Sequence, residues 1–214
     1  MAHVRVRQHV NPLSQKYRTA IDPPNWSQIY AVAERLLHVD LGCARGNFLL
    51  DIAQAQPDWN FLGLEIREPL VVEANHRCQE LGLTNLHFLF CNIGNSLAPL
   101  LASLPAGALQ RVSIQFPDPW FKQRHRKRRL VQPELVEVLA EYLPAGGVIF
   151  AQSDVELVME EICDRIQAHP AFQRQGDGTW LAENPLAVPS DREQTTLARN
   201  APVYRALFQR LEVF

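Results

Sequence analysis

The sequence predicts an α/β fold: a doubly wound, mostly parallel sheet with an antiparallel edge near the C-terminus. Short apolar runs alternate with amphipathic stretches along most of the chain, which is typical of a parallel sheet covered by helices on both faces. The first apolar run ends in a turn that contains Gly42 and Gly46. With 214 residues, of which 47% are hydrophobic, the chain is long enough for one domain with a sizeable core.

The elements follow one another in a regular order. Apolar positions at helical spacing run from Trp26 to Leu37 and predict the first helix. Strands are then predicted over 36–42, 59–66, 86–91, 111–116 and 148–153, and helices over 47–56, 68–82, 132–143 and 155–166. Residues 170–214 include WLAENP and PVYRALFQRLEVF, which predict two late strands that form an antiparallel pair at one edge.

Positive charge is concentrated in two segments of an otherwise acidic chain. Residues 1–21 carry four Lys and Arg and no acid, and residues 122–129 carry six of the 21 Lys and Arg. Removing these ten cations takes the formal net charge from -2 to -12. Such segregation favours an anionic partner bound at a defined place. Residues 1–25, interrupted by Pro12, Pro23 and Pro24, are expected to form a basic, flexible segment before a single domain over 26–214.

Several classes of protein are disfavoured by composition. No run approaches the roughly 20 apolar residues of a membrane span, and the N-terminus lacks the apolar core of a signal peptide, so we expect a cytoplasmic protein without membrane contact. Its four cysteines, Cys43, Cys78, Cys91 and Cys163, form no CxxC pair, and we expect no metal. We expect a monomer or a homodimer.

The first predicted turn, Asp40-Leu41-Gly42-Cys43-Ala44-Arg45-Gly46, has features of a cofactor loop. Glycines at a strand-to-helix turn let a ligand approach the backbone, and we expect Gly42 and Gly46 to do so. The chain lacks the G-x-G-x-x-G dinucleotide fingerprint, and Asp40 would repel a pyrophosphate. A carboxylate there suits S-adenosylmethionine, which has a cationic amine, a sulfonium and no phosphate.

Polar residues also end the second and third predicted strands. Glu65 lies nineteen residues after Gly46, where an acid can accept hydrogen bonds from both ribose hydroxyls of a cofactor. Asn92 and Asn95 follow the third strand, where a side-chain amide could read the adenine edge. The alternative for either Asn is an ordinary turn residue.

The stretch FPDPWFKQRHRKRR, residues 116–129, indicates a nucleotide target. Two prolines restrict the backbone on either side of Asp118 and hold its carboxylate in place. Trp120 and Phe121 offer rings on which an unstacked base could lie, with core packing as the alternative. The basic residues from Lys122 to Arg129 can neutralise several phosphates.

This stretch, extended to Leu130, resembles the signature of the bacterial tRNA (guanine-N7)-methyltransferase family, and the resemblance runs from about residue 35 to the C-terminus. The cofactor loop resembles the D/E-x-G-x-G-x-G pattern of class I methyltransferases, which have a Rossmann-like fold. It departs from that pattern at Ala44, where glycine is usual. An alanine is tolerated there if the backbone at this position is not left-handed.

The resemblance implies methyl transfer from S-adenosylmethionine to N7 of a guanine in tRNA, at position 46 of the variable loop. It implies that Asp40, Glu65 and an Asn, Asn92 in preference to Asn95, bind the cofactor. It implies that Asp118 is catalytic, lies between cofactor and guanine, and is also among the residues that contact the cofactor. The substrate residues implied are Lys122, Arg124, His125, Arg126, Lys127, Arg128, Arg129, Asp154, Ser190, Arg192 and Glu193. Ser190 stands where the family has threonine.

Two other functions compete with this interpretation. Amino-group methyltransferases carry a D-P-P-aromatic motif after the same strand, but the second proline is missing from Asp118-Pro119-Trp120. A non-catalytic RNA-binding module is the other alternative, with Ala44 and the Asn in place of an acid as its support. A nicotinamide-dependent dehydrogenase is opposed by Asp40 and by the missing phosphate fingerprint.

Overall fold

The computed structural model describes residues 10–212, in which seven strands form one sheet in the order β3-β2-β1-β4-β5-β7-β6. The strands are β1 Leu37–Leu41, β2 Asn60–Glu65, β3 Leu86–Phe90, β4 Leu109–Gln115, β5 Val148–Ser153, β6 Phe172–Arg174 and β7 Tyr204–Arg210. Neighbours from β3 to β5 pair in parallel, and β7 runs antiparallel to β5 and β6. The predicted fold class, including the antiparallel edge, is therefore confirmed.

Seven α-helices connect or flank these strands within residues 10–212. They are α1 Trp26–Ile29, α2 Asn47–Ala55, α3 Glu68–Glu80, α4 Ile93–Ala102, α5 Pro133–Tyr142, α6 Glu156–Gln167 and α7 Asp191–Ala198. Short 3-10 helices cover Gln15–Tyr17 and Gln123–Arg128. The sequence WLAENP, predicted as a strand, forms irregular structure, and the edge partner of β7 is β6 instead.

The first predicted helix is wrong beyond its first turn. Helix α1 ends at Ile29, and Tyr30 has an extended backbone with φ -104° and ψ 141°. Tyr30 is buried, stacks on Trp26 with ring centroids 6.1 Å apart, and donates its hydroxyl hydrogen to the carbonyl of Phe61 at 3.0 Å. Apolar residues at helical spacing are thus buried by tertiary contacts without continuing the helix.

The sheet separates two apolar clusters, because successive side chains of a strand point to opposite faces. Phe61 of β2 packs with residues of α2 and α3, whereas Leu62 and Leu64 pack with residues of α4, α5 and α6. The core therefore consists of two apolar clusters, one on each face of the sheet, as expected for a sheet covered by helices on both faces.

The N-terminal segment is held against the domain in its described part. The backbone N–H of Ile21 donates to the hydroxyl of Ser96 at 3.3 Å. Helix α1, which follows the segment, is fixed by the indole N–H of Trp26, which donates to Ser103 at 2.9 Å. Arg5 and Arg7, which contribute to the predicted basic segment, lie outside the described residues.

Within residues 10–212, every helix is too short or too polar to span a bilayer. The same residues contain no group of three or more His, Cys, Asp or Glu side chains arranged to hold a metal ion. All four cysteines are buried free thiols.

Candidate functional site

A cavity of about 1460 Å³ opens at the carboxyl ends of the parallel strands. It lies beside β1 and β4, where the strand order reverses, which is the usual ligand site of a doubly wound sheet. The predicted residues that line it are Asp40, Gly42, Glu65, Asn92, Asn95, Asp118, Lys127, Arg128, Arg129, Asp154, Ser190 and Arg192. Those that do not line it are Gly46, Lys122, Arg124, His125, Arg126 and Glu193.

Asp40 near the end of β1 is a buried carboxylate whose side chain is fixed by β4. The hydroxyl of Ser113 donates to its Oδ1 at 2.5 Å, and Gln115 Nε2 lies 3.4 Å from the same oxygen. Burial raises the pKa of Asp40 to about 6, because these hydrogen bonds only partly offset the loss of solvation and the charge of Glu65 raises it further. Holding this acid ionised in the ligand-free protein therefore costs free energy.

Ser113 also links Asp40 to His38, which is completely buried. Because the Ser113 hydroxyl hydrogen points to Asp40, its oxygen accepts from His38 Nε2 at 2.8 Å. That hydrogen bond places the imidazole proton on Nε2, and the other ring nitrogen, Nδ1, is buried without a hydrogen-bond partner. Burial lowers the pKa of His38 well below its usual value, so the ring is neutral.

The loop after β1 has a left-handed backbone at three positions: Gly42 with φ 88°, Ala44 with φ 51° and Gly46 with φ 71°. A side chain at position 46 would also overlap the ring of Phe88. The condition under which alanine is tolerated at position 44 is therefore not met. Ala44 stays in a conformation that is strained for any residue with a Cβ, while its N–H donates to Glu65 Oε2 at 2.9 Å.

We expect Ala44→Gly to stabilise the protein, by about 0.5–1 kcal/mol, because relief of the left-handed strain exceeds the entropic cost of glycine. This corresponds to a rise in Tm of about 1–4 °C for a chain of this length. Ala55→Gly, at an exposed position in α2, is the matched control and should lower stability by up to about 1 kcal/mol. Thermal unfolding of both variants checks the account, and a lower Tm for Ala44→Gly would contradict it.

Glu65 is 2% exposed, and its carboxylate is fully occupied by hydrogen bonds. It accepts from Ala44 N at 2.9 Å and, from Arg67, the backbone N at 3.0 Å and side-chain Nε and Nη2 at 2.9 Å each. A carboxylate has about four acceptor sites, so these four donors fill it. A ligand that donates hydroxyl hydrogens to Glu65 therefore displaces the guanidinium of Arg67.

Asn92 and Asn95 bind the N-terminal segment. Asn92 Nδ2 donates to the carbonyls of Pro12 and Tyr17, both at 3.0 Å, and its Oδ1 accepts from Gly94 N at 3.1 Å. Asn95 Nδ2 donates to the carbonyl of Tyr17 at 2.8 Å. Both amides thus hold this segment over one end of the cavity, and the adenine-reading role remains a prediction.

The turn that carries Asp118 is strained on both sides. Phe116 and Trp120, which flank Pro-Asp-Pro, have φ values of 48° and 41°. Bulky side chains are rarely left-handed, and each such residue costs about 1–3 kcal/mol. The backbone N–H of Phe116 is tied to the carbonyl of Gln152 at 2.7 Å, which fixes the start of the turn. The hydrogen bonds that Arg67 donates to Glu65 raise the pKa of Arg67, and the negative charges of Glu65 and Asp118 raise it further.

The basic residues after this turn divide into those that form ion pairs within the domain and those that do not. Glu161 forms ion pairs with Arg129 and with Arg126, the latter at 3.2 Å. The guanidinium of Arg129 also donates to the carbonyl of Pro119 at 2.8 Å, so it braces the turn. By contrast, Lys122, Arg124 and Lys127 are exposed and form no ion pair within residues 10–212.

The two aromatic residues of the turn differ in environment. Arg128 lies over the Trp120 ring, 5.0 Å from its centroid, and His125 packs edge-on against the same ring at 5.6 Å. Phe121 is 73% exposed and lines the cavity. Core packing, the alternative to base stacking, is therefore wrong for Phe121.

The last predicted residues lie at the start of α7. Ser190 caps this helix by a reciprocal pair of hydrogen bonds with Glu193. Arg192 donates to Asp154 Oδ2 at 2.5 Å, which brings the end of β5 and the start of α7 together at the cavity. Glu193 is buried at 2% exposure and is ion-paired with Arg205 at 2.7 Å.

Several residues of this site cannot be identified from the sequence alone. Ser113 and Gln115 support Asp40, and their signal is two polar residues at alternate positions of an apolar strand, VSIQF. Arg67 follows Glu65 by two residues, and nothing in its local pattern distinguishes it from a surface arginine. Gln152 and Arg205 meet Glu193 only through the pairing of β5 with β7.

Comparison with known proteins places this site in context. A family model described as a putative methyltransferase matches residues 34–206. The chain is 63% identical over 208 residues to the tRNA (guanine-N(7)-)-methyltransferase of Trichormus variabilis, with 97% of each chain covered. It is 61% identical over 210 residues to the protein of the same name from Synechococcus elongatus, with 98% of each covered. The solved precorrin-6y C5,15-methyltransferase of Geobacter metallireducens has a similar fold, with a TM-score of 0.55 at 12% identity over 86% of this chain and 84% of that one.

Proposed function

The chain belongs to the tRNA (guanine-N(7)-)-methyltransferase family, and we propose that the cavity beside Asp40, Glu65 and Asp118 is where a guanine of tRNA is methylated. The reaction is transfer of a methyl group from S-adenosylmethionine to N7 of that guanine. The observation that carries the placement is the convergence of three carboxylates and a basic 3-10 helix at one edge of the sheet.

The residues around Asp40 fit S-adenosylmethionine. Two buried acids, Asp40 and Glu65, are close enough for the charge of Glu65 to raise the pKa of Asp40, so a cation is favoured in the cavity and a pyrophosphate is not. Asp40 would hold the cationic methionine end, and Glu65 would hold the ribose after Arg67 moves aside. When bound, S-adenosylmethionine supplies an electrophilic methyl group on a sulfonium.

Asp118 has an electrostatic and positioning role in this proposal. Guanine N7 carries an in-plane lone pair and no proton, so no general base is needed. As the new N–C bond forms, positive charge develops on the purine, and a fixed carboxylate stabilises that charge. The left-handed residues on either side of Pro-Asp-Pro limit the freedom of Asp118, so the carboxylate is preorganised before the guanine arrives.

The finer assignments belong to the same proposal. We propose position 46 of the variable loop as the target, and the cytoplasm as the compartment because tRNA is found there. Asp154 is proposed to contact the N1 and N2 hydrogens of the guanine, with Ser190 and Arg192 beside it at the cavity. The state of association, monomer or homodimer, remains an expectation.

A tRNA made with 7-deazaguanosine tests the choice of atom. Replacing N7 by C–H removes the attacking lone pair but keeps the base-pairing edge and the exocyclic amine. We expect labelled methyl groups to enter ordinary tRNA and not the 7-deaza tRNA. Equal labelling of both would support the competing amino-group methyltransferase and would overturn the proposal.

Three exposed cations in and directly before the 3-10 helix Gln123–Arg128 are expected to bind the tRNA backbone. Combined replacement of Lys122, Arg124 and Lys127 by alanine should weaken tRNA binding and reduce the slope of log K against log salt by about 2–3, since each phosphate contact contributes about 0.7–0.9. Cofactor affinity should be unchanged. Arg35→Ala, which lies before β1 at the opposite end of the sheet, is the control. An unchanged salt slope in the triple variant would place the RNA elsewhere.

A further inference from the structure

Gln152 near the end of β5 joins two parts of the site that are distant in sequence. Its side chain is completely buried, and both of its amide hydrogens are used. Gln152 Nε2 donates to Gln115 Oε1 at 2.8 Å and to Glu193 Oε2 at 3.1 Å, while its Oε1 accepts from Arg205 Nε at 3.3 Å. Its backbone carbonyl also accepts the N–H of Phe116 at 2.7 Å. One residue thus contacts β4, α7, β7 and the turn that carries Asp118.

On the cofactor side, Gln152 fixes which way the Gln115 amide points. Since Gln115 Oε1 accepts from Gln152, Gln115 Nε2 is the end that approaches Asp40 Oδ1, at 3.4 Å. Ser113 donates to that same oxygen. Within residues 10–212 no hydrogen bond reaches Asp40 Oδ2, so this oxygen is the one left for a ligand in the cavity.

On the RNA side, Gln152 helps to hold the first turn of α7. Glu193 accepts from Gln152 Nε2 and from Asn184 Nδ2 at 2.6 Å, and its other oxygen binds Arg205 Nη2 at 2.7 Å. The same carboxylate closes the capping box with Ser190. A helix start fixed in this way sets the positions of Ser190 and Arg192 at the cavity.

We propose that Gln152 is a positioning residue that couples the cofactor carboxylate Asp40 to the RNA-facing start of α7. Glu193 acts through this hydrogen-bond network instead of contacting the RNA. The proposal rests on the proposed function, because the two ends of the network are the assigned cofactor and tRNA contacts. Leaving a buried polar group without a partner costs free energy, so the network has one favoured arrangement.

Gln152→Met tests the coupling, because methionine has a similar length and volume and makes no comparable hydrogen bonds. Without Gln152, the Gln115 amide is free to rotate, and Glu193 loses a donor. We expect the Kd for S-adenosylmethionine and the KM for tRNA each to rise by about tenfold per folded enzyme, as expected for losing one hydrogen bond to a charged group at each end. Gln152→Asn, a shorter amide, should change both constants in the same direction by less, and serves if the methionine variant does not fold.

Asn85→Leu is the matched control for a loss of stability. Asn85 is buried at 6% exposure, bridges the carbonyls of Ala53 and Trp59 at 3.0 Å each, and lies at the opposite end of the sheet. It should lower Tm and leave both constants unchanged. A rise in both constants for the Gln152 variants supports the coupling, whereas a change in neither or in only one overturns it. Failure of the wild-type protein to methylate tRNA in the same assay would count against the proposed function itself.

Discussion

Replacing Asp118 by asparagine is expected to lower the rate of methyl transfer by about 10²–10³, while the Kd for S-adenosylmethionine stays within about threefold. Asparagine preserves the shape but removes the charge that stabilises the developing positive charge on the purine, and one such electrostatic contact is worth about 3–4 kcal/mol of barrier. The change also removes the negative charge of Asp118, which stabilises the cation of Arg67. Single-turnover methylation of tRNA, with the cofactor Kd measured separately, provides the comparison.

Asp58→Asn is the control for this substitution, since Asp58 is an exposed acid between α2 and β2, away from the cavity. It should leave the transfer rate unchanged. A transfer rate for Asp118→Asn within a few-fold of the wild-type rate would remove the electrostatic role assigned to this carboxylate.

Asp40→Asn is expected to weaken cofactor binding and to stabilise the ligand-free protein. The cationic end of the cofactor loses its buried counter-charge, so we expect affinity to fall by about a hundredfold or more. The ligand-free protein should become more stable at pH 8, because the variant no longer has to ionise a buried acid. Calorimetric titration with the cofactor measures the first effect, and thermal unfolding across pH measures the second.

The direction of the pH effect follows from the raised pKa of Asp40, about 6 in the folded protein against about 3.9 for an unperturbed Asp. At a pH between these two pKa values, Asp40 is mostly protonated in the folded state and mostly ionised in the unfolded state. The wild type therefore loses stability as pH rises from about 4 to about 6. The loss amounts to about 2–3 kcal/mol and is complete above pH 6. The Asn variant should lack this slope, and Asp51→Asn, an exposed acid on α2, should retain it.

Cofactor affinity should show the complementary dependence. A cationic ligand binds the ionised form of Asp40, so affinity should fall by up to tenfold for each pH unit below about 6. A wild-type affinity that stays constant from pH 7 to pH 5 would contradict the assignment of Asp40 to the cationic end of the cofactor.

The strands were predictable because their signal is local. Residues 148–153 form β5 with the predicted bounds, and the other parallel strands differ from prediction by at most two residues at either end. The missed helices have weak local signals: α4 contains Gly94 and Pro99, and α7 is mostly polar. Their starts depend on side-chain caps by Asn92 and Ser190, and the early end of α1 depends on the tertiary contacts of Tyr30.

The site was predictable where its residues follow strand ends, and not where its interactions cross the sheet. Asp40, Glu65 and Asp118 meet at one edge because parallel strands bring their carboxyl ends together. The pairing of Glu161 with Arg129, of Asn92 with Pro12 and of Gln152 with Glu193 joins residues 32 to 80 positions apart. No spacing rule connects such residues, so the sequence did not show which cations are committed to ion pairs or which amides already have partners.

Mapping the modified nucleoside shows whether this protein methylates N7 of a guanine in tRNA. Unmodified tRNA is incubated with the protein and S-adenosylmethionine, digested, and analysed by mass spectrometry for methylated nucleosides and their positions. We expect 7-methylguanosine in the variable loop, at position 46, and its loss with Asp118→Asn. A methyl group on an exocyclic amine or on another base, or tRNA left unmodified by the wild-type protein, would contradict it.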